Sequence, residues 1–402
     1  MWRDLLSKVV SRSLEVAVSL GKRIRRHWAS DSDGFGYSLA HGSAGLAVFT
    51  ESLYRGTGDV EWRRASRELL RHAVMTAKHA VDLPAGLFGG VAGLLFASRY
   101  ISPDSMTSLL GQSLIAMLHE HTSLLLAFGE TRSRIPASYV DVIGGLAGIG
   151  LVFLNLPRSN SLPLVIASLE SRVAVRDGVP VGMFLPAPLI ASRHLRAMFP
   201  DGMVDAGVAH GVAGPLSLLA LAATRGMSVR LSILEEGSEW LVARSDHDRH
   251  GAFWYPGYGS ANEPPNHGRM SPKNAWCYGV AGIANTLWLC GEACGRTDIK
   301  DFAVAAMLAG LARHAGVQEP FLCHGTAALL HITRRFHQRT ADSAFVDHIE
   351  HLTYQLIRSA DAFEPSHSAK GLGLLEGMAG IGIALSGDFD QELCWDRAFA
   401  LA

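Results

Sequence analysis

A short glycine pattern recurs seven times along this chain, and that repetition limits the folds open to it more than any other feature. The copies read HGSAG at 41–45, GGVAG at 89–93, GGLAG at 144–148, HGVAG at 210–214, YGVAG at 278–282, HGTAA at 324–328 and EGMAG at 376–380. They recur at intervals of 46 to 68 residues, which suggests a repeat architecture rather than a string of unrelated domains. An apolar segment follows each copy, such as LAVFTESLY, PLSLLALAA and IANTLWLCG. Between copies lie segments such as DVEWRRASRELLRHAVMTAKHAV, whose apolar residues recur at helical spacing with charges between them. Each unit reads as a helix pair, one member apolar and the other amphipathic. Few stretches alternate with period two, so sheet content is expected to be low.

Seven such pairs can stack as an open solenoid or close into a ring. Near-uniform inner helices favour closure, because an open solenoid usually needs distinct polar caps. The expected fold is all-α: an α/α double barrel of seven inner and seven outer helices, a single domain over 1–402, with long loops or a small insertion. Residues 1–34 read as an amphipathic N-terminal helix with a basic end, packed on the barrel. In a closed ring the glycine turns gather at one end, around a shared cavity. Two regions break the rhythm. Residues 158–189 have room for a few short strands or an insertion. Arg244 to Trp276 is rich in Gly, Pro, His and aromatics without a helical period, and reads as a loop that walls or covers the cavity.

Composition excludes several classes. With 48% hydrophobic and 18% charged residues, the chain can bury a large core and is not globally disordered. Thirty-six basic against thirty-seven acidic residues give no general drive toward nucleic acid or anionic membrane. Five unevenly placed cysteines do not make a disulfide framework and fit a reducing cytoplasm. The N-terminus lacks the apolar core of a signal peptide. The longest nearly apolar run, VIGGLAGIGLVFLNL, is short for a transmembrane helix.

Reactive side chains fall at a common register. Cys277 stands immediately before YGVAG, and Cys323 with His324 occupy the equivalent place at HGTAA. If the turns meet, two thiolates and one imidazole make a zinc set with a fourth position for water or substrate, as catalytic rather than purely structural zinc requires. Taken singly, each cysteine reads as a buried core residue; the shared register favours the metal. His210, in register with His324, is open to two roles, fourth ligand or general acid/base, and an open zinc site favours the second. Asp141 precedes its glycine copy and reads either as a helix cap or as the group that orients His210. His41 heads the first copy with nothing beside it to complete a second site, and is taken as structural. Cys290 would lie about 20 Å along its helix from Cys277; it and Cys294 are read as packing.

The seven repeats, together with AHGVAG, WCYG at 276–279 and CHG at 323–325, resemble the lanthionine synthetase C (LanC) family over approximately residues 40–385. The resemblance implies a double α-barrel with one zinc at its mouth. It carries the zinc ligands onto Cys277, Cys323 and His324, and the catalytic pair onto His210 and Asp141. Trp276 and Tyr278 match residues beside the zinc ligand and are supporting candidates. So is Lys273, which stands where members often have Arg; it keeps the charge and loses the rigid fork. Asn274 stands where they have Asp.

The activity implied is a zinc-dependent lanthipeptide cyclase, adding a peptide Cys thiolate to dehydroalanine or dehydrobutyrine to form lanthionine or methyllanthionine rings. Two other readings share the barrel: transfer of glutathione to dehydroamino acids in proteins, and a non-catalytic peptide-binding scaffold of a modification complex. The implied partners are a dehydrated precursor peptide and a separate dehydratase, for which 402 residues leave no room, together with a membrane-associated modification and export complex. The expected location is the cytoplasm, peripheral at the inner face of the membrane where that complex forms.

Overall fold

In the computed structural model each glycine copy starts a helix, and the hydrogen bonds of its turn show why the pattern repeats. The structure describes residues 2–30, 34–102, 104, 108–132, 135–190, 192–259, 273–313, 319–364, 369–387 and 394–402. It is almost entirely α-helical. The helices are α1 (Trp2–Ser30), α2 (Ser43–Thr57), α3 (Val60–Lys78), α4 (Val91–Ile101), α5 (Leu109–Glu130), α6 (Ala137–Val140), α7 (Leu146–Leu154), α8 (Leu162–Val173) and α9 (Arg193–Met198). They continue with α10 (Ala213–Thr224), α11 (Leu231–Ala243), α12 (Val280–Cys294), α13 (Thr297–Arg313), α14 (Thr326–Thr340), α15 (Val346–Ala362), α16 (Ala369–Leu372) and α17 (Met378–Leu385). Strand among the described residues is confined to pieces of two or three residues. No helix among them is long and apolar enough to cross a membrane.

The copies open α2, α4, α7, α10, α12, α14 and α17. In every copy an amide at or near the start of the new helix donates to a carbonyl seven residues earlier. Examples are Ser43 to Gly36 (2.9 Å), Val91 to Pro84 (2.8 Å), Gly148 to Asp141 (3.2 Å), Val212 to Asp205 (2.9 Å) and Thr326 to Glu319 (3.0 Å). The chain thus doubles back against the first turn, and backbone carbonyls satisfy amides that would otherwise need a side-chain cap. A doubled backbone leaves no room for a Cβ at the second position of the pattern. At Gly90 an added Cβ would collide with the Pro84 carbonyl; Gly279 has φ 112° and would meet the Lys273 carbonyl. Gly90→Ala is therefore expected to destabilise the protein by about 2 kcal/mol or more. A fall in the thermal midpoint would show this; an unchanged midpoint would mean that the turn is looser than described.

Burial separates two kinds of helix. Residues 146–153 of α7 and 213–222 of α10 are buried on every side. In α3 only one stripe is buried, Trp62, Ala65, Ser66, Leu69, Ala73, Val74 and Ala77, at the spacing of a single helical face.

The chain packs as two units. The first comprises residues 1–117 and 316–397, the second 118–315 and 398–402. In the first, α2 packs on α3, α4 and α17, α14 packs on α15 and α17, and α1 lies against α15 and α17. A buried carboxylate ties its last segment down: Asp396 Oδ2 is 2.8 Å from His331 Nε2 and 2.7 Å from Arg335 Nε. Burial opposes the charge of Asp396, but these two partners hold its carboxyl below the usual carboxylate range. In the second unit α12 packs on α10, α11 and α13, and α10 also meets α7 and α8.

Both segments that break the rhythm carry strand. Residues 158–189 hold α8 and then β1 (Val175–Arg176), β2 (Val179–Pro180) and β3 (Phe184–Leu185). Next come β4 (Met203–Asp205), β5 (Asp246–Asp248), β6 (Gly251–Phe253) and β7 (Gly257–Tyr258). β1 pairs with β2, β4 lies between β3 and β7, and β5 pairs with β6, all antiparallel. The stretch from Arg244, expected as a plain loop, instead starts with a hairpin. Gly251 turns it at φ 126°, and Arg313 clamps it through both carboxylate oxygens of Asp248 (2.7 and 2.8 Å). Strands of three residues are too short for a visible alternation. Residues 260–272 of the expected lid lie outside the described residues.

Candidate active site

Asp141 sits in the doubled turn before α7. Its Oδ1 accepts the amides of Gly144 (2.7 Å) and Gly145 (2.9 Å), and its Oδ2 faces His210 Nδ1 at 2.7 Å. Capping the turn and orienting His210 are therefore done by different oxygens of one carboxylate. The carboxylate keeps 1% of its side-chain surface exposed, whereas His210 keeps 44%. With Nδ1 engaged by the acid, Nε2 is the nitrogen left to meet a substrate. Burial disfavours the His210 cation, but the hydrogen bond and charge of Asp141 outweigh it and raise the pKa above its ordinary value.

Cys277 is buried, and its carbonyl accepts the amide of Val208 at 3.0 Å, within the turn that leads to His210. The side chains flanking it point to different tasks. Trp276 is fully buried, its indole N–H donating to the Phe399 carbonyl at 2.8 Å and its ring edge-on to Phe399; its task is packing. Tyr278 donates its hydroxyl to Asp205 Oδ2 at 2.8 Å, while Asp205 Oδ1 accepts the Gly207 amide at 2.8 Å. Burial pushes the Asp205 carboxyl up to about 6. Lys273 is exposed, and with Asp141, Asp205, His210 and Tyr278 it lines a cavity of about 680 Å³.

Asp205 was not expected from the sequence, although, like Asp141, it precedes a glycine copy by a few residues. Its pairing with Tyr278 can be checked by a double-mutant cycle. Asp205→Asn and Tyr278→Phe are each expected to destabilise by about 1–3 kcal/mol, and the double variant by clearly less than the sum. Strict additivity in denaturant unfolding would show the two side chains to be independent.

Cys323 and His324 stand ahead of α14, with the Cys323 amide donating to the Leu375 carbonyl at 3.0 Å. The seventh copy brings a further acid. Glu376 lies 3.8 Å from His324 Nδ1, 3.9 Å from His41 Nε2 and 2.8 Å from Lys370 Nζ. His41 thus has an acidic neighbour that the sequence reading missed. The available signal was register, since His41, His324 and Glu376 each head their copy.

One ligand atom from each of Cys277, Cys323 and His324 lies within 4.8 Å of the others, and these three form the candidate metal cluster among the described residues. Zinc bonds of about 2.3 Å to sulfur and 2.0 Å to nitrogen put donors around one ion roughly 3.5–4 Å apart, so this donor set fits. Cys290 and Cys294 are not in the group. Burial raises both thiols, Cys294 to about 11, which suits packing rather than ligation.

The family model for lanthionine synthetase C-like proteins matches residues 34–399. The chain belongs to that family. This lanthionine synthetase C-like protein is 22% identical over 390 residues to the nisin biosynthesis protein NisC of Lactococcus lactis subsp. lactis, covering 94% of this chain and 92% of NisC. Among solved structures, a nisin cyclase superimposes with a TM-score of 0.83 at 21% identity, covering 96% of this chain and 98% of that one. That likeness is one of fold. The residue pattern of this lanthionine synthetase C-like chain and its three-donor cluster carry the argument further.

Proposed function

We propose that this protein is a zinc-dependent lanthipeptide cyclase, built as a closed ring of seven inner and seven outer helices, that forms lanthionine or methyllanthionine from a dehydrated precursor peptide. The observation that carries the reading is the convergence of Cys277, Cys323 and His324, in a chain homologous to NisC. Zinc held by these residues would supply a Lewis-acidic position that keeps a sulfur ligand deprotonated at neutral pH, where a free thiol is mostly protonated. The two cysteine ligands lower the net charge of such a site, which leaves a bound thiolate more nucleophilic than three neutral histidines would.

The addition balances without redox chemistry. The substrate sulfur bonds to the β-carbon of the dehydroamino acid, the π electrons pass to the α-carbon and its carbonyl, and the α-carbon takes one proton. His210, its Nε2 turned from Asp141, handles that proton, either accepting it from the thiol or giving it to the α-carbon. Asp141 holds the ring in register for either transfer. Lys273, on the wall of the same cavity, places a positive charge in reach of the developing enolate. The fixed cavity brings distant peptide positions together. The proposed partners are the precursor peptide and a separate dehydratase, within a membrane-associated complex on the cytoplasmic side.

Ring closure leaves the peptide mass unchanged, so the test reads thiol loss. A dehydrated Cys-containing peptide is incubated with protein and then alkylated with iodoacetamide. The cyclase reading expects the adduct to disappear. Persistent alkylation, with glutathione adding to a Cys-free dehydrated peptide, would replace it by the glutathione-transfer reading. Persistent alkylation without that addition favours the scaffold.

A further inference from the structure

The cavity beside His210 is lined by residues of two chemical kinds. Asp141, Asp205, His210, Lys273 and Tyr278 supply most of the polar part, with Ser138, Ser192 and His194 also on the wall. The rest of the wall is largely aliphatic, with Ile143, Leu185, Leu189, Ile190, Leu195 and Met203 on it. Five of these six come from residues 184–203, a segment added within one of the two longest intervals between glycine copies. Leu185, Ile190 and Met203 form a small core of that segment with Phe199, so their apolar character is explained by packing. Leu195, partly buried, packs against the same core, but Leu189 has no place in it and keeps 39% of its surface exposed.

We propose that this aliphatic wall is a specificity subsite for an apolar side chain of the substrate peptide, next to the reacting dehydroamino acid. The inference rests on the cyclase reading and deepens it. The occupant follows from continuity: a dehydroamino acid placed at His210 within this cavity must lay its neighbouring residues along the same wall. About 680 Å³ accommodates a short peptide stretch rather than one side chain. An aliphatic neighbour would remove the exposed face of Leu189 from water. Among the described residues from 184–203 on this wall the one titratable side chain is His194, so a carboxylate there would find little to offset its desolvation. The wall therefore selects by apolar contact and rejects by desolvation.

Two synthetic heptapeptides test this, each with one dehydroalanine and one Cys, the dehydroalanine flanked by Leu in one and by Asp in the other. Fluorescein-labelled forms give Kd by anisotropy, and unlabelled forms give kcat/KM for thiol loss. The wild type is expected to favour the Leu peptide by about tenfold or more in both. Leu189→Asp, at an exposed position that leaves the small core intact, is expected to abolish the preference, and Leu189→Met to keep it. Equal binding of the two peptides, binding of neither, or a preference unaffected by Leu189→Asp overturns the subsite. Failure of the function itself looks different. A binding preference that Leu189→Asp removes, with no thiol loss from either peptide, keeps the subsite and sinks the cyclase. Equal cyclisation of both peptides does the reverse.

Discussion

Wild-type protein is expected to hold about one zinc per chain, and Cys323→Ala almost none after the same dialysis. The size of the effect follows from the donor set. Removing a group that only supports a zinc ligand typically weakens metal affinity about 10–100-fold. Replacing a thiolate ligand by a methyl group removes a bond and an anionic charge, so the loss should exceed that range. Only Cys277 and His324 would remain of the three donors. Cys290→Ala is the matched control: its thiol is buried in α12 and outside the cluster, so its zinc content should equal that of the wild type. Metal analysis with a competing chelator decides the matter before any substrate is available. Wild type without zinc would overturn the mechanism and move the scaffold reading to the front.

Asp141→Asn and His210→Asn are expected to slow thiol loss by about a hundredfold to ten-thousandfold while leaving zinc bound. The Asp141 variant is the more informative. The amides of Gly144 and Gly145 require an acceptor, which keeps the remaining carbonyl oxygen in the Oδ1 position. The new NH2 group then faces His210 Nδ1 and donates to it, so the proton moves to Nε2. The imidazole turns from a base at the cavity into a donor there, and it loses the anion that raised its pKa. The limb of the pH–rate profile that belongs to His210 must therefore move to lower pH in the variant. Its direction assigns the role. A rate that falls with rising pH marks an imidazolium giving its proton, and a rate that falls with acid marks a neutral ring taking one. A limb that does not move would remove Asp141 from the mechanism.

The helical architecture was legible because an apolar helix must begin where a doubled turn feeds it, and that turn demands glycine at a fixed place. The same register pointed to His324 and His210, which head their copies, and to Cys277 and Cys323, which stand immediately before theirs. What stayed hidden was pairing across long separations. Asp205 and Tyr278 are 73 positions apart, and nothing in the local pattern of either names the other. Glu376 heads its copy as visibly as His324 does, but a carboxylate at a helix start is too common to single out. The aliphatic wall was invisible for another reason. Leu189 and Leu195 look like any core leucines until it is known that they line a cavity.

The contact between Trp276 and Phe399 also fixes an order of events during synthesis. Trp276 donates to a carbonyl 123 positions downstream, and Asn285 reaches Ala400 in the same way. At the usual pace of translation that is a delay of roughly ten seconds. Throughout it, a growing chain holds Trp276, the neighbour of Cys277, without the carbonyl and ring that Phe399 provides. The packing around Trp276 is therefore completed late, only once Phe399 has left the ribosome.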